Sequence, residues 1–213
     1  GHRDARWTPF VFDGDGRVIA LDPDDERSRA LSRELESDAV EHVKGRILQS
    51  PDAARKAQLA QELVRVQPLN TADVRLCAFE ISRTLDRLEE LDRGDGSLAG
   101  RLDRERVAVL GFSKGGAVAG QACLQDRRLR AGINMDGFMY GDIATEPLPK
   151  PFLFMHSVSP HHPDALINDV FFRRSAQGSL MLQIRGSRHG NFGDPSIWNL
   201  QRQGPGPIDG QRM

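Results

Sequence analysis

The stretch Val107-Ala108-Val109-Leu110-Gly111-Phe112-Ser113-Lys114-Gly115-Gly116-Ala117-Val118-Ala119-Gly120 decides the fold. Four apolar residues, three of them valine or leucine, read as a short buried strand. The small-residue run after Gly116 reads as a helix packed closely against its neighbours. Between them lies Gly-x-Ser-x-Gly, the pattern of a nucleophile elbow. A serine on such a sharp strand-to-helix turn projects its hydroxyl above the sheet. The flanking glycines let strand and helix approach without a Cβ clash. The first N–H groups of the helix point at the same spot and favour negative charge there. The backbone N–H of Lys114 is then one oxyanion donor. The bare pentapeptide is common in a chain with 21 glycines. The strand before it and the helix after it make the reading specific; the bland alternative is a Gly-rich turn with an incidental serine.

Working outward, short apolar runs recur at Ala131–Met135, Pro151–Met155 and Leu180–Ile184, with a helix over 164–175 between the last two. Strands alternating with helices predict an α/β fold, a parallel sheet covered on both faces. Ligand sites in such sheets lie at the carboxyl ends of the strands. Upstream, Thr8–Phe12 and Arg17–Leu21 predict a hairpin around Asp13-Gly14-Asp15-Gly16. A calcium loop is disfavoured because Val18 and Asp24 stand where Gly and Glu are needed. Residues 22–93 are mostly helical. A charged helix opens at Asp24-Asp25-Glu26 and runs to Gln49, and a second spans 53–66. A third, capped by Thr71, buries a stripe of Val74, Cys77, Ala78, Ile81, Leu85, Leu88 and Leu91. The first two are polar enough to read as a surface cap or insertion, at about residues 22–70 of a single domain.

Composition narrows the function classes. The 213 residues carry 29 Lys+Arg against 30 Asp+Glu, a net charge of −1, without the basic surplus of a nucleic-acid binder. No run approaches the ~18 apolar residues of a membrane span. Two cysteines, Cys77 and Cys123, cannot build a disulfide scaffold and read as buried thiols, with a bridge open if the protein is exported.

A serine needs a base, and the base an orienting acid, which in α/β-hydrolases follow in the order Ser, acid, His. His189, on a Gly-flanked loop after the last strand, is placed to reach back as the base. His156 ends a strand, His161 and His162 lie in a Pro-bracketed loop, and His2 and His42 precede the serine. For the acid, position alone leaves two readings open: Asp136 at the end of the second sheet strand, or Asp164 and Asp169 after the third. A metal-dependent hydrolase built on His156, His161, His162 and Asp164 is a rival, although their spacing matches no ligand motif.

Gly111–Gly116, Ala131–Gly137 and Gly186–Asp194 together resemble the plasma-type platelet-activating factor acetylhydrolases and related microbial α/β-hydrolase esterases. Met135-Asp136-Gly137 is similar to that family's Leu-Asp-Gly. His189-Gly190-Asn191-Phe192-Gly193-Asp194 matches its His-x-x-Phe-x-Asp. The resemblance implies Asp136 as the acid beside Ser113 and His189. It implies a serine esterase acting on lipid or other small ester substrates through an acyl-enzyme, with no cofactor and no metal. A catalytically impaired fragment, an interaction protein of the same fold, and a peptide or thioester hydrolase remain alternatives on the same residues. The chain departs from the family at Phe112, usually His, and at Lys114, usually hydrophobic. Lys114 suggests a preference for anionic or polar esters. The resemblance covers about residues 71–210. It implies further strands and a His-Gly loop with a second oxyanion donor upstream, and a final helix downstream. With Gly1 in place of Met, 213 residues are expected to be a piece of something longer.

Overall fold

The computed structural model describes residues 10–12, 18–20, 26–157 and 164–192. Strands β1 (Phe10–Phe12) and β2 (Val18–Ala20) pair antiparallel, as the hairpin reading expects, while the turn between them and the calcium-like run lie outside the described residues. Six helices follow in chain order with four further strands. They are α1 (Glu26–Leu35), α2 (Asp38–Gln49), α3 (Ala53–Arg65), α4 (Pro68–Arg93), β3 (Val107–Phe112), α5 (Lys114–Gln125), β4 (Leu129–Met135), β5 (Phe152–Ser157), α6 (Asp164–Phe172) and β6 (Leu180–Ile184).

Strands β3-β4-β5-β6 form a parallel sheet in that order. Helix α5 returns the chain from β3 to β4, and α6 from β5 to β6, so each crossover lays a helix on the sheet. The register aligns Leu110 with Ile133, Leu153 and Leu180 along one face. The other face carries Gly132, Asn134, Phe152, Phe154 and His156, all buried in or beside the core under α5. Gly132 is required there: a Cβ on it would lie 2.4 Å from the Phe152 ring and 2.8 Å from Cys123 Sγ. Among the described residues the Leu110 face carries no helix, and Leu110 is 64% and Leu180 58% exposed.

The helical segment departs from its sequence reading in three ways. First, the described part of the charged run, residues 26–49, is two helices, because Ser37 accepts from the Val40 N–H and starts α2 afresh. Second, α4 begins at Pro68 and not at Thr71. Proline suits the first helical position, where its missing N–H costs nothing. The Glu34 carboxylate, reaching from α1, accepts from the N–H groups of Leu69 (2.9 Å) and Asn70 (2.7 Å) and does the capping. Thr71 is therefore inside the helix and buried. Third, α2 and α3 are not merely a surface layer. They bury Val40, Val43, Ile47, Leu59 and Leu63 in the same core as α5 and the sheet. Each such side chain contributes about 1.5–3 kcal/mol relative to exposure. Their charged outer faces hid that stripe. The α4 stripe in turn fades: Val74 and Ala78 are buried and Leu91 is exposed.

Cys77 is half-buried and Cys123 buried, both as free thiols, with burial pushing the Cys123 thiol up to about 11. No helix among the described residues is long and apolar enough to cross a membrane.

Candidate active site

Ser113 stands at the junction of β3 and α5 with φ 56 and ψ −127, a conformation that costs an L-residue energy and persists only where its surroundings impose it. Two bonds hold it there: its N–H donates to the Met135 carbonyl (2.9 Å), and its carbonyl accepts from the Gly116 N–H (2.9 Å). A Cβ at Gly111 would sit 1.9 Å from the Gly115 carbonyl oxygen, and one at Gly116 1.9 Å from Asn134 Oδ1. Gly115, the second glycine of the elbow motif, meets nothing within 4 Å. The close approach of helix to strand therefore depends on Gly111 and Gly116. Lys114 is the first residue of α5, so its backbone N–H belongs to the turn that has no intrahelical acceptors.

Asp136 follows β4 with φ 53, the second non-glycine residue in the left-handed region. Its N–H donates to the Met155 carbonyl (2.8 Å). The turn beyond it is closed by Asn134, whose Oδ1 accepts from the Gly137 N–H and whose Nδ2 donates to the Gly137 carbonyl, both at 2.8 Å. Asn168 of α6 donates to the same carbonyl (2.7 Å) and accepts from the Met139 N–H (3.0 Å). A Cβ at Gly137 would lie 2.0 Å from the Ser113 carbonyl oxygen, so this turn packs directly on the elbow. These asparagines escaped the sequence reading. One signal was available: Asn134 is an amide inside an otherwise apolar strand.

His189 opens a short 3₁₀ turn, His189–Phe192, after β6. Its loop is held by Gly186 at φ 82, by Ser187 Oγ donating to the Ile184 carbonyl (2.7 Å), and by Asn191 Oδ1 accepting from the Arg188 N–H (2.8 Å). The imidazole spans the other two side chains. Nε2 is 3.0 Å from Ser113 Oγ, and Nδ1 is 2.9 Å from Asp136 Oδ2. Asp136 Oδ1 accepts from the Ser157 N–H at 2.6 Å, at the end of β5. Thus all four parallel strands deliver a group to one point at their carboxyl ends. Burial alone would raise the Asp136 carboxyl. The bonds from His189 and from the Ser157 N–H outweigh it and hold the group below the usual carboxylate value.

The other candidates lie elsewhere. Asp169 pairs with Arg173, just past the end of its helix (2.6 Å), and Asp164 opens α6. The structure thus brings Asp136 to His189, while the Asp169 carboxylate is held by Arg173. His156 is buried, and its two ring nitrogens have no partner among the described residues. Burial holds it below the ordinary histidine value. His161 and His162 lie outside the described residues, within which no group of three or more His, Cys, Asp or Glu could hold a metal ion. The Lys114 ammonium, from which a preference for anionic or polar esters was expected, reaches to α4 and donates to Asp73 Oδ2; Asp73 Oδ1 accepts from Arg27 (2.5 Å). Burial would raise Asp73 too, but those two cations lower it. Lys114 therefore ties the elbow to the helical segment, and its charge is matched there.

The family model described as platelet-activating factor acetylhydrolase, isoform II, matches residues 53–199. The platelet-activating factor acetylhydrolase of Bos taurus is 30% identical over 141 residues, covering 60% of this chain and 32% of that protein. The Cavia porcellus enzyme is 30% identical over 142 residues, covering 66% and 32%. The chain thus spans about a third of the length of these relatives. Among solved structures, a ferulic acid esterase from Streptomyces cinnamoneus superposes with a TM-score of 0.53 at 31% identity, covering 63% of this chain and 38% of the esterase. With the family model covering more than half of its residues, the chain belongs to the platelet-activating factor acetylhydrolase isoform II family, on an α/β-hydrolase fold.

Proposed function

We propose that this chain carries the catalytic triad of a serine carboxylic-ester hydrolase, with Ser113 as nucleophile, His189 as general base and acid, and Asp136 as the orienting acid. The observation that carries the proposal is the unbroken line Ser113 Oγ, His189 Nε2, His189 Nδ1, Asp136 Oδ2, with 3.0 and 2.9 Å contacts. Asp136 stays ionised and accepts from Nδ1–H, which leaves the Nε2 lone pair facing the serine hydroxyl. His189 takes the serine proton as Oγ attacks the ester carbonyl. The Lys114 N–H donates to the oxyanion of the tetrahedral intermediate, where a fixed donor in a water-poor site is worth about 10²–10³ in rate. Collapse expels the alcohol, which leaves with the proton from Nε2. Water then attacks the acyl-Ser113 ester by the same route, and the carboxylic acid departs. The scheme calls for no cofactor or metal.

The names of the relatives support ester substrates with a small acyl group on a lipid or an aromatic acyl group. Platelet-activating factor and a feruloyl ester are therefore the two assay arms. The deciding experiment is labelling with a fluorophosphonate probe. Labelling of the parent chain that disappears in Ser113→Ala and in His189→Ala supports the triad. Equal labelling of all three would overturn it.

A further inference from the structure

Phe112 is the last residue of β3, and its ring stacks on the imidazole of His189, with centroids 4.7 Å apart and planes inclined by 30°. The two polar contacts of His189 both lie along the edge of its ring, one at each nitrogen. Edge contacts at Nδ1 and Nε2 act within the ring plane and resist motion out of that plane only weakly. Rotation about Cβ–Cγ is such a tilt, and it carries both nitrogens off Asp136 and Ser113. A contact on the ring face is what opposes the tilt, and among the described residues Phe112 supplies it. The imidazole side chain is still 34% exposed. An apolar ring on one face removes water there and adds no donor or acceptor to compete for either nitrogen.

Phe112 is also suited to the task by its own placement. It follows the rigid, hydrogen-bonded part of β3, in register with Met135, the residue before Asp136. The ring is thus carried by the same backbone that carries Ser113, so a shift of the serine carries the stack with it. Sites held by packed, rigid elements keep their geometry better than sites on loops; Ser113 and Asp136 directly follow β3 and β4, whereas a loop separates His189 from the end of β6 at Ile184.

We propose that Phe112 is a positioning residue, whose ring holds the His189 imidazole in the plane shared with Asp136 and Ser113 and so sets the rate of serine acylation without setting affinity. The proposal rests on the reading of Ser113 as nucleophile, and its test separates the two. In the full chain, Phe112→Leu and Phe112→Met remove the ring and keep an apolar side chain; Phe112→Tyr keeps the ring. Two readouts are compared: the rate constant and binding constant for inactivation by a fluorophosphonate, and the proton NMR signal of His189 Nδ1–H.

The expected result is a fall of about 10-fold in the inactivation rate constant for Leu and Met, with the binding constant unchanged. The Nδ1–H signal should broaden or disappear in both and persist in Phe112→Tyr, whose rate stays within about twofold of the parent. A Leu or Met variant that keeps the parental rate and a sharp Nδ1–H signal would overturn the proposal, as would a Tyr variant that falls with the others. Absence of Ser113-dependent labelling in the parent chain counts against the nucleophile assignment alone. The Nδ1–H comparison still decides the stacking role.

Discussion

Two groups of buried polar side chains flank the first residues of the loop that leaves β4, a near one at Asp136 and a far one at Tyr140, and they are treated differently by the fold. At the near end, Asn134, Asp136 and Asn168 are buried with carboxylate and amide groups bonded to Gly137, Met139, Ser157 and His189. At the far end, around Tyr140 and the first turns of α4, Gln67 Oε1 and Nε2, Asn70 Oδ1, Thr71 Oγ1 and the Tyr140 hydroxyl are buried with no partner among the described residues. A buried polar group left without a partner costs about 1–3 kcal/mol, and one with partners gives back a net 0.5–1.5. The near cluster therefore orders the site with little penalty. The far cluster weakens the junction of α4 with the loop. Mutations should separate the two in size and in sign.

The largest effect is expected at the near end. Ser113→Ala or His189→Ala should lower ester turnover by about 10⁴-fold or more, read as steady-state hydrolysis of a chromogenic acetate ester. Retained turnover would mean the paired cluster serves the fold alone. Asp136→Asn comes next, at about 10³–10⁴-fold. An amide there no longer holds the Nδ1–H tautomer, while the Ser157 N–H keeps an oxygen acceptor. Its unfolding midpoint should move far less than its activity, and an inverse outcome would recast Asp136 as structural.

Asn134→Ala should be the strongest purely structural change, at about 2–3 kcal/mol in urea unfolding. It strips the buried Gly137 N–H of its acceptor and opens the turn against Ser113. Acid titration tests the same end by charge. Asp73, Asp126, Asp136 and Asp142 all sit below the ordinary carboxylate value in the fold, Asp126 at about 2 beside Arg128. A carboxylate depressed in the folded state contributes stability that is fully present above its unfolded value of about 3.9 and is lost as pH falls through the folded one. The urea midpoint should therefore fall progressively below about pH 4, continuing toward pH 2 for the Asp126 contribution. A midpoint independent of pH over that range would show that these pairings carry no net stability.

The smallest effect belongs to the far end, and its sign is the informative part. Thr71→Val removes an unpaired buried hydroxyl at nearly constant shape, so Tm should hold or rise slightly. A clear drop would mean that Thr71 Oγ1 is bonded in solution and would erase the contrast with Asn134.

How much of this was legible follows from the range of each interaction. The elbow was legible because strand, turn and small-residue helix are contiguous. Its glycine logic was legible only in part, since Gly116 and not Gly115 faces the crowding. The burial of α2 and α3 was masked by the charged faces that share those helices with Val40, Val43, Ile47, Leu59 and Leu63. The start of α4 was misplaced because its capping carboxylate, Glu34, comes from 35 residues away. The acid could not be chosen from position, since Asp136 and Asp169 both follow sheet strands; the resemblance pointed to Asp136, and the structure brings that residue to His189. Nothing local marked Phe112 as a partner for the imidazole.

By itself the sequence determined a parallel α/β sheet, a serine on its sharpest turn and a histidine on a loop past the last strand. These depend on periodicity and turn chemistry over a few residues. Tertiary structure decided which carboxylate meets the histidine, which groups close the turn behind it, and where the Lys114 charge goes. The contacts concerned join residues 53, 31 and 41 positions apart. Their lengths are set by strand order, register and helix packing, and no stretch of adjacent residues encodes those alone.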